Sequence, residues 1–245
     1  MNPSPYYPPI NSAHGRARLV KILLAIGAVV TGMSLLAETV SLAFPPLTED
    51  QELGDNPGGA IIVLIVFLIA VLELIIYLTT VVFFLMWLFR AYDNLRVFSR
   101  GRRLDSSPGW AVGSFFIPFV NLVIPYRAVR ETWQKSGMPE EAMFAEPSPP
   151  ASFPIWWTFW LLSSFASNIS MRLSFNEGVS QTNATIVSII ASALTIIAAV
   201  FAYLVVDAID KRQEETSSKL GLGNFPVPPP PPTNLSMPDV VTPNA

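Results

Sequence analysis

Beyond the basic flank that ends at Lys21, three charged side chains fall inside long apolar runs: Glu38, Glu73 and Arg172. Two carboxylates and a guanidinium at membrane depth are the residue types that form an internal ion pair, hold a cation or relay a proton, because a lone charge there is costly. Pairing of Arg172 with Glu38 or Glu73 is the expected arrangement. Catalysis fits poorly. The apolar runs contain no His, Cys or Asp, so a hydroxyl nucleophile would have only Glu38 or Glu73 as its base. The chain has no cysteine and a single histidine, His14, which excludes disulfides and thiol chemistry and leaves no conventional ligand set for zinc. No catalytic residue, metal or cofactor is assigned.

A second concentration of chemistry lies between Trp87 and Trp133, which reads W-L-F-R-A-Y-D-N-L-R, then S-P-G-W-A-V-G, then P-F-V-N-L-V-I-P-Y-R-A-V-R-E-T-W. Glu73, Thr80, Trp87 and Asn94 recur every seven residues, and heptad spacing keeps them on one helix face with only ~20° of drift per heptad. Tyr77, Phe84 and Ala91 fall on the same side. Such a stripe should face other helices. Arg90 stands three residues after Trp87 and four before Asn94, so these three side chains are expected to converge at the cytoplasmic surface. Trp110 suits an interfacial anchor, Pro118 frees a carbonyl one turn earlier, and Asn121 is the polar group placed to satisfy it. Pro125 then marks an exit into Tyr126–Lys135, an amphipathic helix with Tyr126, Val129 and Trp133 on its apolar face. Arg127, Glu131 and Lys135 lace its polar face at four-residue spacing.

The elements that must position these groups are membrane helices. Apolar residues make up 51% of the chain and charged residues 13%, and the mean hydropathy is +0.45. Spanning a bilayer takes ~20 mainly apolar residues. Four runs qualify, at about 19–44, 59–89, 155–175 and 184–206, giving an all-α bundle of four transmembrane helices. Pro57 should start the second helix after Asn56, and Gly101 should end it, a continuous rod of roughly 65 Å at 1.5 Å per residue. The run at 110–125 is short and interrupted by Pro118, so the element at 108–137 is expected to be re-entrant or interfacial. Of the fifteen Lys and Arg residues, all but Arg172 then fall on one side, while the loop at 45–57 is acidic. The positive-inside rule places both termini in the cytoplasm of a multi-pass cell-membrane protein. The first run exceeds the core of a signal peptide and is read as an uncleaved anchor. Trp156, Trp157 and Trp160 fit an aromatic belt. Tails at 1–17 and 213–245 are Pro-rich and lack core-forming residues, with Pro228–Pro232 favouring polyproline helix.

The run W-L-x-R-A-x-x-N-L-R, the segment S-P-G-W-A-V-G-x-F-F-I-P-F-V-N-L-x-x-P-Y-x-x-x-R-E-T-W and the following I-W-W-T-F-W resemble the bacterial membrane family described as domain of unknown function 4328. The resemblance covers about Ala60 to Arg212 and includes the polar Asp-Lys-Arg-Gln ending. It implies a multi-span helical domain. Trp87, Arg90, Asn94, Trp110, Pro118, Asn121, Pro125, Tyr126, Glu131 and Trp133 match its pattern, but it implies no activity for them.

Three function classes compete. The leading expectation is a non-enzymatic binding, scaffold or regulatory module acting through its cytoplasmic-face element on a protein partner or a second copy of itself. Arg96, Arg100, Arg102 and Arg103 would also suit anionic lipid headgroups. An oligomeric small-solute or ion transporter built on the membrane carboxylates and the break at Pro118 is the alternative. An intramembrane enzyme comes third, and no nucleic-acid partner is expected.

Overall fold

The computed structural model describes residues 10, 12–43, 57–99, 101–138, 140, 146–174, 178 and 180–222. Among these residues the fold is all-helical, as expected. The long helices are α1 (His14–Ala43), α2 (Pro57–Asp93), α6 (Ser152–Ser174) and α7 (Gln181–Lys219); between α2 and α6 lie α3 (Leu95–Phe98), α4 (Pro108–Gly113) and α5 (Ile124–Lys135). Short 3-10 turns at Ser114–Phe116 and Val120–Leu122 connect α4 to α5. The acidic loop at 45–56, Arg100 and the polyproline tract lie outside the described residues.

Three helices are long and apolar enough to cross a membrane: His14–Val40, Phe67–Phe98 and Thr182–Lys219. Each is longer than the ~30 Å apolar core of a bilayer needs. The apolar runs at 19–44, 59–89 and 184–206 would occupy the membrane and leave residues 90–99 and 207–222 projecting beyond it. Val29, Met33, Leu36, Phe67 and Leu74 are exposed on the outer faces of α1 and α2, the pattern of lipid-facing side chains. The fourth expected span, α6, is less apolar. Ser163, Ser164, Ser167, Asn168 and Ser170 interrupt its second half.

The bundle packs α7 along both α6 and α1, and α1 along α2. Its core sits at one end. Ala13, Ala17 and Val20 of α1 meet Trp87, Leu88 and Ala91 of α2, Phe153, Trp156 and Trp157 of α6, and Val205, Val206 and Ile209 of α7. Ala13 and Ala17 are small, which lets α1 approach α7 closely.

Two boundaries differ from the sequence reading. Residues 14–17 and 213–219 are helical rather than tail, because a polar-looking face is buried there: Gln213 and Thr216 are enclosed with Ala17. The helix α7 ends where Gly221 adopts φ +65 and Leu222 N–H donates back to the Ser217 carbonyl at 3.0 Å, a left-handed glycine cap. At the other end Ser180 Oγ accepts from Asn183 N–H at 3.3 Å. The second helix stops short of a single rod, since its ladder is interrupted at Asn94. Asn94 keeps helical angles, α3 continues the direction, and Gly101 at φ +89 ends it as expected.

Candidate functional site

The loop at 103–106 is pinned to α5 through one carboxylate. Glu131 accepts from the Tyr92 hydroxyl at 2.5 Å, from Asp105 N–H at 2.7 Å and from Lys135 Nζ at 2.6 Å. Lys135 also donates to the Arg103 carbonyl at 2.5 Å, and Tyr92 Oη accepts from Ser106 N–H at 3.0 Å. Both charges of the Glu131–Lys135 pair are nearly excluded from solvent, so these extra hydrogen bonds offset a desolvation cost that a bare pair would not recover. Burial, reinforced by the Glu131 hydrogen bond and charge, pushes the Tyr92 phenol well above its ordinary value.

Of two expectations for α5, this arrangement corrects one. The helix does present Tyr126, Val129 and Trp133 to the core. Its charges do not form an outward lattice, because Tyr92 and the loop amide recruit Glu131 inward and leave Arg127 exposed. The basic loop is also partly consumed. Arg102 turns in, donating from Nε to the Ser99 carbonyl at 3.3 Å and from Nη2 to the Lys135 carbonyl at 3.5 Å, while exposed Arg96 pairs with Asp93 at 3.1 Å. Arg103 is exposed.

Aromatic rings hold the element against the bundle. Phe115 sits edge-on to Phe84, Trp157 and Trp160, Tyr126 lies 6.2 Å from Trp157, and Trp157 stacks on Trp160 at 4.7 Å. Trp156 and Trp157 are therefore core residues and not a lipid-facing belt. Trp87 is fully buried and Asn94 nearly so, and Arg90 is half-buried with no side-chain hydrogen bond to either among the described residues. The three do not converge on a surface. The heptad stripe itself faces inward at Glu73, Thr80, Trp87 and Asn94, while Tyr77, placed on the same side by spacing, is exposed.

The segment at 114–123 reverses direction through two short 3-10 turns. Ser107 caps α4 by accepting from Trp110 N–H at 3.2 Å, and the Trp110 side chain is partly exposed as an anchor would be. Pro118 and Phe119 are exposed at the tip. Phe119 has φ 65 and ψ -39, and Val120 N–H donates to the Pro118 carbonyl at 2.8 Å, closing a γ-turn of the rare strained hand. Asn121 bonds here through its backbone, its N–H donating to the Ile117 carbonyl at 2.9 Å, and not through its side chain to the Ser114 carbonyl one turn before Pro118. Trp157 Nε1 donates to the Leu122 carbonyl at 3.1 Å, and Pro125 is buried at the start of α5.

A third cluster was missed by sequence reasoning. Lys21 Nζ lies 2.9 Å from Asp207 and 3.4 Å from Asp210, His14 Nδ1 lies 3.0 Å from Asp210, and Lys211 lies 2.7 Å from Asp207. Asp210 is 4% exposed at its side chain. Burial holds its carboxyl above the ordinary value against the pull of His14 and Lys21. For Asp207 burial is outweighed by hydrogen bonds from Lys211 and Lys21, which hold it below that value. One turn on, Gln213 donates from Nε2 to the Ala91 carbonyl at 2.8 Å and to Ser136 Oγ at 2.9 Å, and its Oε1 accepts from Asn94 at 3.4 Å. Arg212 lies over the Trp133 ring at 4.1 Å. The available signal was the i, i+3, i+6 spacing of Asp207, Asp210 and Gln213, set against His14, Ala17 and Lys21 at helical spacing on α1. Beside this cluster a half-open cavity of about 410 Å³ is lined by His14, Asn94, Phe98, Asp210, Gln213 and Glu214.

The intramembrane charges arrange themselves otherwise than expected. Glu73 accepts from Ser34 Oγ at 2.7 Å, and Glu38 accepts from Ser188 Oγ at 2.5 Å and Ser192 Oγ at 3.4 Å. Among the described residues Arg172 joins neither carboxylate; near the end of α6 its side chain is exposed. Hydroxyl donors on α1 and α7 reach the carboxylates without the cost of burying a guanidinium. No group of three or more metal-binding side chains occurs among the described residues.

No curated protein and no solved structure matches the chain. A family model described as Domain of unknown function (DUF4328) matches residues 60–211. That stretch holds the inward stripe of α2, the loop pinned by Glu131, the γ-turn, the tryptophans of α6 and the paired aspartates of α7. It covers more than half of the 245 residues, and the chain belongs to the family of domain of unknown function 4328.

Proposed function

We propose that this chain is a multi-pass membrane protein with four spans, α6 being the fourth, and both termini in the cytoplasm of a cell membrane, where it acts as a non-enzymatic docking module. The observation that carries this reading is the half-open 410 Å³ cavity at the end of the bundle where the projecting ends of α2 and α7 meet α1. Its lining of carboxylates and amides, from Asp210, Glu214, Asn94 and Gln213, favours a cationic, hydrogen-bonding segment of a partner. The rigid aromatic packing beneath it and the satisfied Glu131 network supply a preorganised platform. Exposed Arg96 and Arg103 suit anionic headgroups beside it.

A photoreactive residue at Ser218, on the cavity rim, tests the docking. The expected result is a discrete adduct in cells that Glu214→Lys abolishes by reversing the charge; an adduct pattern indifferent to Glu214→Lys refutes the docking site.

The transport alternative retains support from the membrane carboxylates alone, since Glu38 and Glu73 bond to serine hydroxyls of α1 and α7 and not to the element that holds Pro118. Solute flux in proteoliposomes that Glu73→Gln removes would favour it over docking.

A further inference from the structure

Within the membrane-spanning part of the bundle, away from the docking cavity, lies a second cavity of about 330 Å³. All four long helices line it with oxygen-bearing residues: Thr31 from α1, Glu73 from α2, Ser167 and Ser170 from α6, Ser188 and Ser192 from α7. Hydroxyls in apolar helices ordinarily bond back to the carbonyl four residues earlier, as Thr39, Thr80, Ser164 and Thr195 do here. Thr31, Ser167 and Ser170 make no side-chain hydrogen bond among the described residues. Ser170 is only 9% exposed. Thr31 is partly buried and Ser167 exposed, so the hydroxyls on this cavity run from its enclosed wall to its open side with their lone pairs uncommitted.

Charge identifies an occupant. Glu38 is engaged by Ser188 and Ser192, and Glu73, the one carboxylate lining the cavity, has a single hydroxyl donor and no cationic side chain within ion-pair distance among the described residues. A carboxylate at this depth needs a compensating positive charge. One carboxylate with several neutral hydroxyl oxygens offers hard ligands and a single negative charge, which matches a monovalent hard cation better than a divalent one.

We propose that this cavity binds Na+, coordinated by the Glu73 carboxylate and the free hydroxyls of Thr31, Ser167 and Ser170. The site stands whether or not the docking cavity has a partner. Bound Na+ ties α1, α2, α6 and α7 together where the bundle has little buried apolar surface, so it stabilises the fold by linkage.

The test is thermal unfolding of the full chain in detergent with NaCl, KCl or choline chloride at equal ionic strength. Na+ should raise Tm saturably over choline, with at least a tenfold weaker apparent affinity in Ser170→Ala and no Na+ effect in Glu73→Gln. Equal melting in NaCl and choline chloride overturns the proposal, as does an unchanged Na+ shift in Glu73→Gln. A Tm that follows pH but not Na+, with Glu73→Gln abolishing the pH response, assigns the site to a proton and also overturns it. Should Glu73→Gln not fold, Ala191→Cys in this cysteine-free chain gives a second readout at the cavity wall. Na+ should slow its modification by a small thiol reagent several-fold relative to choline, and equal rates overturn the proposal.

Discussion

Tyr92 at the end of α2 and Glu131 on α5, 39 positions apart in sequence, share a hydrogen bond of 2.5 Å that fixes the short-helix element between α2 and α6 to the bundle. Through Glu131 the same bond orders Lys135 and the loop at 103–106. The short helices α3 to α5 would have little reason to hold their positions otherwise, since each is too short to be stable alone.

Glu131→Gln should therefore destabilise the protein by about 3 kcal/mol, because it leaves Lys135 buried without its counter-charge. Glu131→Gln combined with Lys135→Met should recover part of that loss. Thermal unfolding of the single and double variants checks this. A double variant as unstable as the sum of the single changes would show that the pair is not coupled.

Arg212→Ala should cost about 1 kcal/mol, as the guanidinium lies over the Trp133 face at 4.1 Å in a partly desolvated position. Arg212→Lys should retain part of it. A change in tryptophan emission that accompanies Arg212→Ala but not Arg130→Ala, an exposed arginine on α5, locates the effect at Trp133.

The two aspartates of α7 predict opposite pH responses. Asp210 sits above the ordinary aspartate value of 3.8, so the stability it contributes is complete below that pH and is lost as pH rises through its raised value. Asp207 sits below 3.8, so its contribution is complete above that pH and is lost as pH falls through its lowered value. Asp210→Asn should remove the loss on the rising side and keep the acid loss, while Asp207→Asn should do the reverse. Tm profiles measured from pH 3 to 7 check the signs, and parallel profiles for wild type and Asp210→Asn would refute the assignment.

How much of this was legible in the sequence depends on what each residue reports. The heptad of Glu73, Thr80, Trp87 and Asn94 announced an inward face, because periodicity is a local property of one helix. Gly101 and Pro125 marked boundaries for the same reason. Lys135 was legible as a partner of Glu131 from its four-residue spacing, and the structure pairs them at 2.6 Å. Arg127 was the other local choice and is exposed, while Tyr92 and the Asp105 amide reach Glu131 from a distant segment. Asp207 and Asp210 were passed over as a polar ending to the last apolar run, since their partners His14 and Lys21 come from the far end of the chain. Arg172 was paired with carboxylates by charge alone, and the structure satisfies those carboxylates with serine hydroxyls that carry no charge to reveal them.

Single-cysteine labelling decides the topology. Ser107 and Arg130 flank the γ-turn and are both exposed, whereas Ser136 is wholly enclosed and would report burial instead of sidedness. Ser107→Cys and Arg130→Cys should react from the same side of the membrane, because the two 3-10 turns between them are too short to cross it. Labelling from opposite sides would overturn the re-entrant reading.

The γ-turn makes the last prediction. Phe119 is 85% exposed and holds φ 65, a conformation that costs a residue with a Cβ about 1 to 3 kcal/mol and glycine little. An aromatic ring at such a position needs a gain that water does not supply, and insertion of the tip into a bilayer would supply it through the apolar side chains of Phe116, Ile117 and Phe119. Phe119→Gly should then raise Tm in dilute detergent, where strain relief dominates, and lower it in lipid nanodiscs, where the lost ring contact dominates. A fluorophore on Phe119→Cys should report an apolar environment and be quenched by lipid-borne quenchers. Stabilisation by Phe119→Gly of equal size in both environments, with a water-like fluorophore signal, would show that the tip does not enter the membrane.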